Sequence, residues 1–295
     1  MPDDHERPRD LTRRLPEIAS TLVDAAAAAF VNAAGQRLEA ARLPPDDHRP
    51  WPVPDAPWVM AQRWEHLLFA HWPVPADTLA RLLPDRLPLD TFDGSGWLTI
   101  SPFRVAGLRL RGLPALPGVS DFREINVRTY VTLDGKPGVW FFSLDADTVL
   151  GVTGARTWYR LPYFLAVAEH ERRGETWRFT SRRDHPEAAA AAFAVDYRPV
   201  GPVARAPHGS LAWWLTERYA LYAIDGRDRV LRAEIHHAPW PLQPAEARIE
   251  RNTMADPLGL ALDARPALVQ YARALDVCVW RPHPVARAPR RRPVA

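Results

Sequence analysis

Residues 124–147 read EINVRTYVTLDGKPGVWFFSLDAD, and this stretch decides the fold. β-branched and aromatic residues fill both halves, and Asp134-Gly135 between them is a tight-turn signal. The pattern predicts a β-hairpin. A loop of two or four residues centred on Gly135-Lys136 sets Tyr130 against Phe141, Arg128 against Ser143 and Asn126 against Asp145. Side chains alternate along a strand, so one face carries Ile125, Val127, Thr129 and Val131 with Trp140, Phe142 and Leu144 as an apolar layer. The other face presents Glu124, Asn126, Arg128, Tyr130, Ser143 and Asp145 together. Two readings of that polar face are open. It is either a solvated outer face of a sheet or the inside of a barrel, where polar groups converge on a ligand.

Outward from the hairpin, strand signals outnumber helix signals. Short alternating runs bounded by Gly, Pro and Asp predict further strands over Trp64–His71, Trp97–Val105, Trp177–Arg182, Val230–His237 and Asp276–Arg281. The hairpin itself spans Ile125–Leu133 and Val139–Asp145. Helices are expected at Ala76–Leu83, between Pro75 and Pro84, and at Leu211–Ala223, where Ser210 is the N-cap. The fold class is mainly β (α+β), a barrel or sandwich covered by a few helices. All twelve tryptophans lie between Trp51 and Trp280, so residues 51–284 hold the core domain. Residues 1–50 form an N-terminal extension around an alanine-rich helix, near Glu17–Arg42, which buries little area. Residues 285–295 form a disordered Arg/Pro tail.

The composition excludes several functions. The formal charge is +3, but Arg287, Arg290, Arg291 and Arg292 account for more than all of it, leaving the body near neutral. Nucleic acid is therefore not an expected partner. No apolar run is long enough to span a membrane. Residues 12–34 loosely resemble an export signal, yet Pro16, Glu17 and Asp24 interrupt it. A single thiol, Cys278, forms no internal disulfide, so the expected compartment is the cytoplasm. The only lysine, Lys136, is expected at the exposed tip of the turn Asp134-Gly135-Lys136-Pro137-Gly138, not in the apolar pocket that imine chemistry needs to lower its pKa. His236 and His237 are adjacent on a strand and point to opposite faces, as do His66 and His71, so no metal site is expected and no cofactor is implied. No Gly-x-Ser-x-Gly elbow exists for serine hydrolysis.

A wider resemblance runs through the motifs FREINVRTYV (122–131), KPGVWFFSLDAD (136–147), RTWYRLPYF (156–164), RWEHLLFAHWPVP (63–75), LLPDRLPLDTFDGSGWL (82–98), TERYALY (216–222) and HHAPWPL (236–242). Together they resemble the bacterial YqjF-like family of unknown function, over about residues 58–283. That family resembles the acetoacetate decarboxylase-like superfamily. The resemblance implies a large, cone-like antiparallel β-barrel around a pocket, with the polar face of the hairpin in the lumen. Decarboxylases of that superfamily carry Phe-Pro-Lys with the Schiff-base lysine. Here Leu161-Pro162-Tyr163 stands in that place, so the amine is replaced by Tyr163. Glu124 matches their pocket glutamate.

These residues define the expected chemistry. Arg128 offers a cationic fork to a carboxylate or enolate oxygen. Glu124 and Tyr163 are the acid–base candidates. Asn126, Arg128, Tyr130, Ser143, Asp145, Arg156, Arg218 and His237 are the candidate ligand-binding residues, Arg218 because helical spacing turns it toward the domain. Each has a plainer alternative: buried ion pairs that only satisfy one another, a core tyrosine with a bonded hydroxyl, a bonded strand-end histidine. The expected function is a small-molecule pocket acting on a small carboxylate or oxo compound without a Schiff base. Its alternative is binding without turnover. The partner is a small molecule, and assembly into a homo-oligomer is compatible with either.

Overall fold

The computed structural model describes residues 45–116, 119–186 and 188–285. The expected N-terminal helix and Arg/Pro tail fall outside them. The hairpin forms as β3 (Phe122–Leu133) and β4 (Lys136–Ala146). Its loop is the two residues Asp134 and Gly135, both with positive φ, 52° and 71°. That is the turn whose twist matches paired strands. Leu133 therefore faces Lys136, and Tyr130 faces Val139 rather than Phe141. A bulge at Phe142 then shifts the register, so that Arg128 faces Phe141 while Val127 faces Ser143. Asn126 ends opposite Leu144, and Ile125 opposite Asp145.

The remaining strands are β1 (Met60–Val74), β2 (Gly96–Leu110), β5 (Tyr163–Arg173), β6 (Thr176–Arg183), β7 (Ala192–Pro199), β8 (Ala220–Ile224), β9 (Val230–His237), β10 (Leu242–Asn252), β11 (Leu268–Val279) and the short β12 (His283–Pro284). Strands β4-β3-β2-β1-β11 form one sheet, and both of its edges fork. On β4, Val139 and Trp140 pair in parallel with β8, while Leu144–Ala146 pair in parallel with β5. On β11, Gln270–Ala272 pair with β10, while Val277–Val279 pair with β9. Two closed rings result. One passes through β8 and β9 and has seven strands; the other passes through β10, β7, β6 and β5 and has nine. The barrel is therefore mixed, antiparallel except where β4 meets β5 and β8. Closure leaves the shared sheet no free edge.

Each ring encloses its own core. Leu67, Phe69, Phe103, Tyr130, Phe141 and Ile235 pack inside the seven-strand ring. Leu68, Ile100, Ile125, Val127, Phe179 and Val195 pack inside the nine-strand ring. Period-2 alternation sorts the side chains, and a bulge in the β1–β2 pairing between Glu65 and Ala70, where His66 takes a left-handed conformation (φ 51°), resets it on β1. Trp64 before the bulge and Leu67 after it then serve the same core.

Among the described residues three α-helices cover the strands: α1 (Ala76–Ala80), α2 (Val149–Trp158) and α3 (Leu211–Thr216). Ser210 caps α3 by accepting from the Trp213 N–H at 3.2 Å, as the sequence suggests. The helix ends at Thr216, however, and Ala220–Ile224 form β8 instead of its last turns. Short apolar runs do not distinguish helix from strand, and here the seven-strand ring needs a strand between β4 and β9.

Candidate functional site

Even-numbered residues of β3 point into the seven-strand ring. Glu124, Asn126, Arg128 and Tyr130 thus form a row, spaced about 7 Å apart along the strand. At its outer end Tyr163, the first residue of β5, donates its hydroxyl to Glu124 Oε2 at 2.8 Å. Glu124 is buried and Tyr163 half-buried. Burial raises the Glu124 carboxyl from 4.5 to about 7, against the opposing hydrogen bonds from Tyr163 and Asn126. Burial, with Glu124 alongside, likewise pushes the Tyr163 phenol well above its ordinary value.

Deeper in, Arg128 lies over the Phe69 ring at 5.2 Å and is only 9% exposed. Among the described residues its guanidinium has no hydrogen-bond or ion-pair partner, and its Nε is fully enclosed. A buried charge left unpaired costs several kcal/mol, roughly. The next cation, Arg218, follows α3 and is better satisfied. It donates through Nε to the Trp214 carbonyl and through Nη1 to Asp90, each at 2.6 Å. It is held between the Trp214 and Tyr130 rings at 4.3 and 5.0 Å. Its Nη2 has no partner among the described residues. Burial lowers the Arg218 pKa, Asp90 opposes that, and Arg128 adds to it.

Tyr130 ends the row in a buried relay. Its hydroxyl meets Thr99 Oγ1 at 2.6 Å, and Thr99 meets His71 Nδ1 at 2.7 Å. Burial, with Arg128 nearby, holds His71 neutral, its pKa lowered to about 3. The indole N–H groups of Trp97 and Trp240 also lack partners among the described residues. Trp240 packs edge-on to Phe69 at 4.9 Å, the ring that Arg128 covers. Two residues with unpaired donors, Arg128 and Trp240, thus flank Phe69, a setting that suits an anion.

The other expected residues divide. Ser143 and Asp145 leave the row, because the bulge turns them into the nine-strand ring. There Arg183 holds Asp145 with two bonds of 2.8 Å. Arg156 is exposed and donates to the Tyr163 carbonyl at 2.7 Å, so it fixes the backbone of that residue from outside. His237 is buried, stacks on Tyr219 at 4.7 Å, and bonds the backbone at Ala238 and Arg218. Burial lowers its pKa to about 3. It is a bonded core histidine that steadies Arg218. Glu217, beside Arg218, is buried, accepting from the Trp240 backbone N–H at 2.9 Å and from the Tyr219 hydroxyl. Lys136 is half-buried, paired with Glu234 at 3.3 Å and set over Trp51 rather than at an exposed tip. No three His, Cys, Asp or Glu among the described residues are grouped to hold a metal. No described helix is long and apolar enough to cross a membrane.

His71, Thr99, Phe69, Trp240 and Asp90 were not among the expected residues. They come from β1 (Phe69 and His71), β2 (Thr99) and two loops (Asp90 and Trp240), and only the closed barrel brings them together.

The fork, the two rings and the polar lumen define a barrel of the acetoacetate decarboxylase-like class. Solved structures of similar fold include acetoacetate decarboxylase from Legionella pneumophila, with TM-score 0.51 and 15% identity over 82% of this chain and 94% of that one. The enduracididine biosynthesis enzyme MppR, solved in complex with pyruvate, has TM-score 0.54 and 12% identity over 81% of this chain and 93% of its own. Within this class the chain belongs to the DUF2071 family, described as an uncharacterized conserved protein, which it matches over residues 61–276. It is also 46% identical to the uncharacterized protein YqjF of Bacillus subtilis (strain 168), over 77% of this chain and 93% of that protein.

Proposed function

We propose that the lumen of the seven-strand ring binds a small carboxylate or oxo acid, with Arg128 as its anchor, and that Glu124 and Tyr163 move protons on it without an imine. One observation carries this reading: a buried arginine with no counter-ion among the described residues, beside a second arginine with a spare N–H. A carboxylate supplies the missing charge and matches the guanidinium fork. The pyruvate complex of MppR supports the choice of ligand class, at the level of fold analogy only. Lys136 is bound to Glu234, so covalent amine chemistry has no lysine in the lumen.

Binding is tested by calorimetric titration with pyruvate, acetoacetate and uncharged methyl pyruvate. The two carboxylates bind, the ester does not, and Arg128→Met weakens the carboxylates by about tenfold or more. Equal binding of the ester, or by Arg128→Met, overturns the anchor.

Proton transfer is tested by NMR of pyruvate in deuterated water. Glu124 takes a methyl proton, the carbonyl becomes an enolate, and a deuteron returns to carbon. Exchange above the buffer rate that Glu124→Gln abolishes supports an enzyme. A second reading, binding without turnover, is favoured by the bond that ties Tyr163 to Glu124. Tight binding with exchange only at the buffer rate selects it.

A further inference from the structure

At the outer end of the seven-strand ring lies a cavity of about 360 Å³, within the range of small-ligand sites. Leu108, Leu110 and Phe122 line its barrel side, and α2 faces it with Gly151, Gly154 and Ala155. Three- and four-residue spacing puts these small residues on one helix face, which leaves the space open. The one charged residue at its edge among the described residues, Arg109, pairs with Ala61, which belongs to a separate cluster with Trp58, so its side chain turns away.

Two tyrosines stand in the wall, and they differ. The Tyr163 hydroxyl is bonded to Glu124. Tyr159 is 8% exposed, and its hydroxyl has no hydrogen-bond partner among the described residues. An unbonded buried hydroxyl costs about 1–3 kcal/mol and calls for a partner. At the lip, Trp158 is 63% exposed, a large apolar surface beside the opening.

We propose that this cavity is a second binding site, for an uncharged and largely apolar molecule that carries one hydrogen-bonding oxygen, such as an aryl or alkyl ketone. Tyr159 is its hydrogen-bond partner, and the apolar walls take its body. The cavity shares the Tyr163 wall with the proposed proton-transfer pair but uses neither Arg128 nor Arg218, so loss of anion binding and loss of this site are distinguishable.

The test uses the neutral dye N-phenyl-1-naphthylamine, displaced by acetophenone and by the similarly shaped hydrocarbon isopropylbenzene. Both displace it from the full chain. A Cβ at Gly154 meets nothing within 4 Å, so Gly154→Leu fills the cavity without a backbone clash. That variant weakens dye binding by about tenfold or more while its unfolding temperature does not fall. Tyr159→Phe weakens acetophenone by about fivefold, the worth of one net hydrogen bond. It leaves isopropylbenzene unchanged and does not lower stability. Dye binding that persists unchanged in a folded Gly154→Leu overturns the site. Should that variant not fold, Tyr159→Phe decides alone: equal effects on the two competitors, including none, overturn the role of Tyr159.

Discussion

Two buried arginines sit on opposite sides of one β-sheet, and they are treated differently. Arg183, in the nine-strand ring, grips Asp145 with two bonds of 2.8 Å and covers Phe164 at 4.1 Å. Arg128, in the seven-strand ring, covers Phe69 at 5.2 Å and has no carboxylate among the described residues. One ring closes its charge internally, as a structural core does. The other leaves donors unpaired, which is costly unless a ligand completes them. Function on this account belongs to one ring, and the second ring supports it.

The largest effect expected from this contrast comes from the side that looks structural. Asp145→Ala strands Arg183 in the core and lowers stability by about 3–5 kcal/mol, measured by chemical denaturation. A loss below about 1 kcal/mol would mean that the pair is solvated or dispensable.

The next effect is a pH dependence. Glu124 keeps its proton in the folded chain up to about pH 7, whereas its ordinary value is 4.5. The folded state therefore binds the extra proton between those values. The contribution of Glu124 is complete below pH 4.5 and is lost as pH rises to about 7, on the order of 3 kcal/mol. His71 and His237 act in the opposite sense. They are held neutral down to about 3, so their contribution is lost as pH falls below 6.5. The difference between the wild-type and Glu124→Gln stability profiles isolates the carboxyl. It should fall between pH 4.5 and 7, and a flat difference contradicts a buried Glu124.

A smaller effect tests the fork. Gly138 on β4 lies so close to β8 that an added Cβ would meet the Ala220 carbonyl oxygen at 2.6 Å. Gly138→Ala should cost about 1–3 kcal/mol by overpacking. No loss would show that the seven-strand ring closes less tightly there.

The sequence makes part of this comparison legible. Alternation in residues 124–131 separates the two faces of β3 and groups Arg128 with Glu124 and Asn126, and the resemblance to the decarboxylase-like barrels puts that face in the lumen. The β4 half misleads, because one bulged residue, Phe142, changes which face Ser143 and Asp145 occupy; the turn, which shifts the pairing by two residues from that expected, leaves the faces as they were. A one-residue slip moves every side chain of a strand to the other face. Strands β7 and β10 escape notice because charged residues alternate along their solvent sides, as in EARIERN at residues 246–252. Tyr163 is legible through the resemblance to decarboxylases, not through any local pattern. Arg218 is expected to turn inward by helical spacing, and it does turn inward, but from the break after α3. The relay from Tyr130 through Thr99 to His71 has no sequence signature, since its members meet only across β3, β2 and β1.

The smallest expected change carries the central claim. Arg128→Met removes an unpaired buried charge and keeps the apolar stem over Phe69, so without ligand it should cost less than about 1 kcal/mol or stabilise the fold. The direct measurement is thermal unfolding of wild type and Arg128→Met, each with and without saturating pyruvate. The account predicts that pyruvate raises the unfolding temperature of the wild type alone, while the unliganded variant is at least as stable as the unliganded wild type. A ligand-free loss of several kcal/mol in Arg128→Met, or an equal rise with pyruvate in both proteins, would contradict it.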